Sequence, residues 1–463
     1  MSSAQLNAAL PRDLAEQAQR TEALARAHGL DFFPVVFQLL DARDVNGIAA
    51  YGGFPVRYPS WRHGMEFERL DKGYSWGLSK IYELVINNDP VVAYLVKSNS
   101  RLEQKLVMAH VFGHADFFRH NCWFAATERH MLDRMGSHST RVRRYIDRHG
   151  LECVERFLDL ALSLETLVDP YLPLRHQLAG QGEDGGDPAP YLESLSAGHG
   201  TFDVLGFLAE DERMAGRLES WQTDLLRIVR AEAYYFQPQR MTKIMNEGWA
   251  TFWHSRMLTE SLLDSSEIVD FADCHSSATA GGPGRLNPYK LGLELFRHAH
   301  ATGRDVFRLR RLHNDASFVD ELLDEAFIER HEMFVYGPNQ RSGRNEVGDR
   351  DWKRVKAQLL SELSWGGLPQ IELVGVDVAG EGELRLQHHH DGRDLQLSQA
   401  QATASRLSAV WGGPVHLHTL EEGQGRLLRC DGDTVEVLDT QEGGSTAEES
   451  GGAADAGAER QRA

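Results

Sequence analysis

The segment Val107–Phe118, VMAHVFGHADFF, constrains this chain more than any other. Its apolar spacing predicts a helix, and on a helix His110 and His114, four residues apart, share one face and can reach one metal ion. The zinc-peptidase pattern HExxH puts a Glu directly after its first His as general base. Val111 stands at that place here. The chain thus offers two ligands without the customary base. With 21 histidines in 463 residues, roughly one such pair is expected by chance, so the pair gains meaning only from further ligands.

A second segment supplies them. In KIMNEGWATFWHSRM, Lys243–Met257, Glu247 and His254 lie seven residues apart, two helical turns, on one face. A carboxylate opening an apolar aromatic helix is costly to bury unless it is paired or bound to a metal. His110, His114 and Glu247 together make a His₂Glu set, the ligand class of many catalytic zinc sites that keep a fourth position open. Zinc is the expected ion, and iron or manganese suits the same donors. His254 is then a fourth ligand or a catalytic proton donor or acceptor. The alternative is that Glu247 pairs with Lys243 or Arg256 and merely anchors its helix. Glu232 is the second catalytic candidate, fifteen residues before Glu247, and Glu83 and Glu128 are further acids. Any of them could replace the missing base, which needs only reach and a suitable pKa. Asp116 is a candidate to orient a ligating imidazole. The Glu247 string resembles the NEGFA-type helix of gluzincin aminopeptidases, whose Glu is the third zinc ligand. Because 133 positions separate His114 from Glu247, that likeness extends to ligand geometry alone.

The remaining sequence reads as mainly α with a smaller α+β C-terminal module, a zincin-like helical domain being one form of the first part. An amphipathic helix is expected over about 12–28, with Leu14, Ala18 and Ala25 on its apolar side, followed by aromatic-rich loops. KIYELV reads as helical, and VVAYL as a short extended run. Helical spacing recurs over 103–135, 140–165, 212–234 and 236–335, interrupted by loops at 180–190 and 276–289. Asn287 and Pro288 mark a helix start. A polar, Gly-rich stretch at 337–350 suggests a boundary: residues 1–340 form the helical domain and 341–440 a module of short strands around a helix near 397–411. A tail at 441–463, acidic and poor in apolar residues, is expected to be disordered. Within the module, the triple His388–His390 reads as an exposed turn, and His416 and His418 alternate onto one strand face.

The formal net charge of -19 argues against broad contact with nucleic acid or an anionic membrane. No apolar run approaches a membrane span and the N-terminus lacks a signal peptide. Cys122, Cys153, Cys274 and Cys430 form no CxxC, which suits a reducing cytoplasm. Walker A, GxGxxG after a strand, and GxSxG are all absent, which disfavours nucleotide and serine-hydrolase chemistry.

Several long strings, KIYELVINNDPVVAYL, LVMAHVFGHADFFRHNCWF, WQTDLLRIVRAEAYYFQPQRMTKIMNEGWATFWH and LNPYKLGLELF, together with GGLPQIEL and AVWGGPVHLHT, resemble the SpoVR family of stage V sporulation protein R-like proteins. The resemblance runs from about residue 25 to about 435. It implies a role in spore cortex formation or, in bacteria that do not sporulate, in a stress response, with a serine protein kinase and a von Willebrand-type protein as partners. Two readings follow: a zinc-dependent hydrolase acting on an amide bond in peptidoglycan or a peptide, or a non-enzymatic regulatory or scaffolding protein in a kinase-linked stress pathway with a structural metal or none.

Overall fold

Helices dominate the first of two units, residues 1–193 with 205–368; the second comprises 194–204 with 369–463. The computed structural model describes residues 3–75, 83–180, 200–279, 287–333, 335–338, 345–349, 351–377 and 382–440. The predicted loop at 181–190, the centre of the 276–289 break and the C-terminal tail lie outside the described residues.

In the first unit the principal helices are α1 (Arg12–Ala27), α2 (Arg101–His120), α3 (Met131–His149), α4 (Leu151–Ser163), α5 (Ser220–Met241), α6 (Lys243–Met257), α7 (Pro288–Ala301) and α8 (Trp352–Leu363). Ala18 and Ala25 of α1 are buried, as its sequence predicts. A capping box opens α2: the Ser100 hydroxyl accepts from the Glu103 N–H, while the Glu103 carboxylate accepts from the Ser100 N–H. From Val107 to Phe118 every residue of α2 is buried. A helix apolar on all sides can be satisfied only inside a core, and burial of Val111, Phe112 and Phe117 contributes roughly 2 kcal/mol each.

Glycines set how closely the central helices cross. A Cβ on Gly113 of α2 would stand 2.7 Å from the Ala250 Cα of α6. One on Gly248 of α6 would run into the backbone of Gly292 on α7. Only residues without a Cβ let these backbones approach so far. The start of α6 is fixed by a carboxylate from elsewhere in the chain. Asp315, buried, accepts from the backbone N–H groups of Ile244 and Met245 at 2.8 Å each, so N–H groups that the helix itself leaves unpaired at that end are satisfied by a side-chain carboxyl.

A three-stranded sheet accompanies the helices: β1 (Val35–Leu40) pairs parallel with β3 (Val91–Val96), and β2 (Glu83–Ile86) pairs antiparallel with β3. The sequence reading misses β1 and treats Glu83–Val85 as helical. The cause is tertiary. β3 is buried along its whole length, so its backbone groups need partners on both edges, and the apolar LVI and VVFQLL segments supply them.

At the stretch read as a boundary, β4 (Val335–Pro338) pairs antiparallel with β5 (Asn345–Asp349). Beyond it Val355 and Leu359 of α8 join the first unit's core. The division therefore falls after Leu368 rather than at 341.

The second unit is a five-stranded sheet in the order β10-β9-β8-β7-β6, built from β6 (Gln370–Asp377), β7 (Glu383–His389), β8 (Val415–Glu421), β9 (Gln424–Asp431) and β10 (Thr434–Thr440). Only β7 and β8 pair parallel, joined through α9 (Leu397–Trp411), which buries Leu407, Val410 and Trp411. This is the α+β module expected. His388 is not in an exposed turn: it lies buried on β7, its Nδ1 2.9 Å from Thr419 Oγ1. Strand alternation places it on the inner face and leaves His389 outside. Among the described residues no helix is long and apolar enough to cross a membrane.

Candidate metal centre

The crossing of α2 and α6 brings the three predicted ligands together. His110 Nε2 lies 3.4 Å and His114 Nε2 3.5 Å from the same Glu247 oxygen, Oε2. The ligand atoms of the three residues all fall within 4.8 Å of one another. Two ligands bound tetrahedrally at about 2.0–2.1 Å from one ion stand about 3.3 Å apart, close to the spacing each imidazole already holds to the Glu247 carboxylate. His110 Nε2 and Glu247 Oε2 are buried and make no hydrogen bond. Two orphaned polar atoms facing one another inside a core are costly unless something binds them both. Two imidazole nitrogens and a carboxylate fit a divalent zinc, iron or manganese ion.

The partners behind the ligands set which nitrogen is free. His114 Nδ1 donates to the Asn246 side-chain oxygen at 2.8 Å, leaving Nε2 as a bare acceptor. His110 Nδ1 stands 2.9 Å from His254 Nδ1, and His254 Nε2 is 3.3 Å from His275 Nδ1. His254 is thus the neighbour that orients His110 from behind, rather than a fourth ligand. Tyr289, on the first turn of α7 beyond the Asn287 cap, stacks on His110 with ring centroids 6.3 Å apart and lies against the Glu247 carboxylate.

Charge is arranged to match. Burial would raise the Glu247 carboxyl, but His110 and His114 outweigh it and hold it below the usual carboxylate range. Burial works against a charged His110, yet Glu247 and Glu83 overcome it and hold the imidazole above its usual value. Burial and the neighbouring His110 push His114 down to about 4. Burial likewise drives His254 well below its ordinary value. Glu83, at the start of β2, faces the same group: burial, with Glu247 adding, raises its carboxyl, while His110 opposes.

The remaining candidates lie elsewhere. Glu247 makes no ion pair with Lys243 or Arg256 among the described residues; Arg256 pairs with Glu260 instead. Glu232 is held by Arg57 at 2.6 Å, Tyr58 at 2.9 Å and His138 at 2.9 Å, none of which touches the three ligands among the described residues. It is therefore held away from the three ligands, because a buried carboxylate stays where its cation sits. Asp116 orients no histidine: it accepts from Trp249 Nε1 and the Asp31 N–H, and pairs with Arg310. Glu128 pairs with Arg134. The sequence reading misses Asn246 and His275 as parts of the site and gives Tyr289 no role. The signal for Asn246 is three consecutive small or polar residues, Asn246–Gly248, within an otherwise apolar helix.

The family model described as SpoVR like protein matches residues 9–187 and 193–368, and the one described as SpoVR-like C-terminal domain matches 369–422. The chain belongs to the SpoVR family. A relative from Escherichia coli (strain K12), the uncharacterized protein YcgB, is 28% identical over 476 residues, covering 88% of this chain and 92% of its own. No solved structure matches. The division between the two matched SpoVR segments, 368/369, coincides with the division between the two structural units.

Proposed function

We propose that this SpoVR-family chain is a metal-dependent amide hydrolase with its ion, zinc by donor type, at His110 Nε2, His114 Nε2 and Glu247. The observation that carries this reading is the pair of orphaned buried atoms, His110 Nε2 and Glu247 Oε2, turned toward one another beside His114. When bound, such an ion supplies Lewis acidity toward a carbonyl and acidifies water. His254 and Asn246 hold the two imidazoles in their ligating orientation. Glu83 takes over the role vacated at Val111. Burial raises its carboxyl above the usual carboxylate range, the direction that makes a carboxylate a better proton acceptor. Tyr289 lies against Glu247 and is placed to donate to a developing charge. A peptide or peptidoglycan amide is the substrate class that accords with a role in spore cortex formation.

The test is elemental analysis of untagged protein together with hydrolysis of peptides and muropeptides. Stoichiometric metal is expected in wild type and in Glu83→Gln, and none in His110→Ala or Glu247→Ala; turnover is expected in wild type alone. Metal-free, folded wild type would sink the reading. A second reading draws on enclosure, His110 and His114 being only 3% and 6% exposed. In it the metal is structural and the chain is a scaffold in a kinase-linked stress pathway, with a serine protein kinase and a von Willebrand-type protein as partners. Stoichiometric metal with no turnover, and co-purification with those partners, would favour it.

A further inference from the structure

A second cavity, of about 460 Å³, opens between α5, the Trp123–Met131 connection, the start of α3 and the Pro170–Leu174 segment. No residue of the metal centre lines it. Its size falls within the range of small-ligand pockets. Trp123, Tyr234, Pro170 and Pro173 supply rigid, largely apolar walls that lose little freedom on contact.

Two polar residues of this cavity have capacity for a ligand. Gln237 is 5% exposed, and its side-chain oxygen has no hydrogen-bond partner. A buried amide acceptor in that state favours a ligand bearing an N–H. Arg129 gives Nη1 to two neutral acceptors, Asn87 Oδ1 and the Phe118 carbonyl, both at 3.1 Å. Among the described residues it has no carboxylate at ion-pair distance; burial lowers its pKa, and the more distant charge of Asp89 only partly opposes this. The other guanidinium of the pocket, Arg134, is already matched by Glu128 at 3.2 Å. A guanidinium without a direct ion pair favours an anion, and its planar fork suits a carboxylate.

We propose that this cavity binds a small α-amino carboxylate with an apolar or aromatic side chain, its carboxylate on Arg129 and its N–H on Gln237. A free amino acid and the C-terminal residue of a peptide present the same chemistry. The side chain lies among Trp123, Tyr234 and the prolines.

The test is titration calorimetry on the full chain with four probes. L-phenylalanine represents the free amino acid and N-acetyl-L-phenylalanine the peptide end. 3-Phenylpropanoate lacks the N–H, and phenethylamine lacks the carboxylate. Saturable binding of at least one of the first two is expected, with Kd on the order of 1 mM for a ligand of this size; the tighter of them identifies the source. 3-Phenylpropanoate should bind about tenfold more weakly, and Gln237→Leu should cost the same factor, each losing one hydrogen bond. Ala231→Trp, which fills the cavity without removing a polar group, should abolish binding, and His110→Ala should leave it unchanged. The proposal is overturned if wild type binds neither amino-acid probe, or if phenethylamine binds as well as they do. It is equally overturned if folded Gln237→Leu binds like wild type, or if His110→Ala, shown to be folded, does not bind.

Discussion

Gly113→Ala adds one methyl group at the α2–α6 crossing, and its outcome follows from distances already given. The new Cβ would stand 2.7 Å from the Ala250 Cα, where ordinary contact begins at 3.4 Å, so the two helices must part by about 0.7 Å. Replacing Gly in a helix interior gains about 1 kcal/mol of intrinsic propensity. Overpacking a dense core costs about 1–3 kcal/mol. The net is a loss of about 1 kcal/mol, read as a urea midpoint lowered by a few tenths molar. Gly136→Ala is the matched control. It lies on α3 with nothing within 4 Å of its added Cβ, so it collects the propensity gain alone and should raise the midpoint. The crossing also sets the separation of His110 and His114 from Glu247. Ligand bonds tolerate about 0.2 Å, so Gly113→Ala should weaken metal binding at least tenfold while Gly136→Ala leaves it intact. If Gly113→Ala raises the midpoint as Gly136→Ala does, the account of the crossing is refuted.

Three other outcomes are expected. Asn246→Leu removes the acceptor for His114 Nδ1 and should lower metal affinity by about 10–100-fold in chelator competition; an unchanged affinity would show that Asn246 does not orient the ligand. Glu232→Gln leaves the Arg57 guanidinium buried without its counter-charge and should cost about 3–5 kcal/mol in urea unfolding with metal content retained, whereas loss of metal without loss of stability would return Glu232 to the centre. Burial pushes His388 down to about 4, so between that value and its ordinary 6.5 the unfolded chain binds a proton that the folded chain refuses. Stability contributed by neutral His388 is present above pH 6.5 and is lost as pH falls toward 4, by roughly 1–2 kcal/mol. His388→Gln should flatten this part of the stability–pH curve, and an identical slope in the variant would remove His388 as its source.

Much of this architecture is legible in residues read locally. The cap at Asn287, the apolar spacing of Val107–Phe118 and the alternation in PVHLHTL each specify their element without help from the rest of the chain. What fails locally is what depends on a distant partner. Glu83–Ile86 forms a strand because β3 needs an edge, and α8 joins the first unit because Val355 and Leu359 find its core. The same division holds at the site. His110, His114 and Glu247 follow from helical spacing plus the cost of burying a carboxylate. Asp116 and Glu232 were equally plausible as sequence, and only the positions of Arg310, Trp249 and Arg57 decide that they do other work.

His114 and Glu247 stand 133 positions apart in the chain, so an ion held there would cross-link two distant helices. In the unfolded chain only the two neighbouring imidazoles could meet it, because bringing Glu247 to them carries the closure entropy of a long loop. Such an ion binds the folded chain in strong preference to the unfolded one, and stabilises it by RT ln(1 + [M]/Kd), about 4 kcal/mol at a thousandfold excess over Kd. The melting temperature of this protein should therefore report free metal concentration directly, so that starvation for the ion becomes loss of the fold that encloses it.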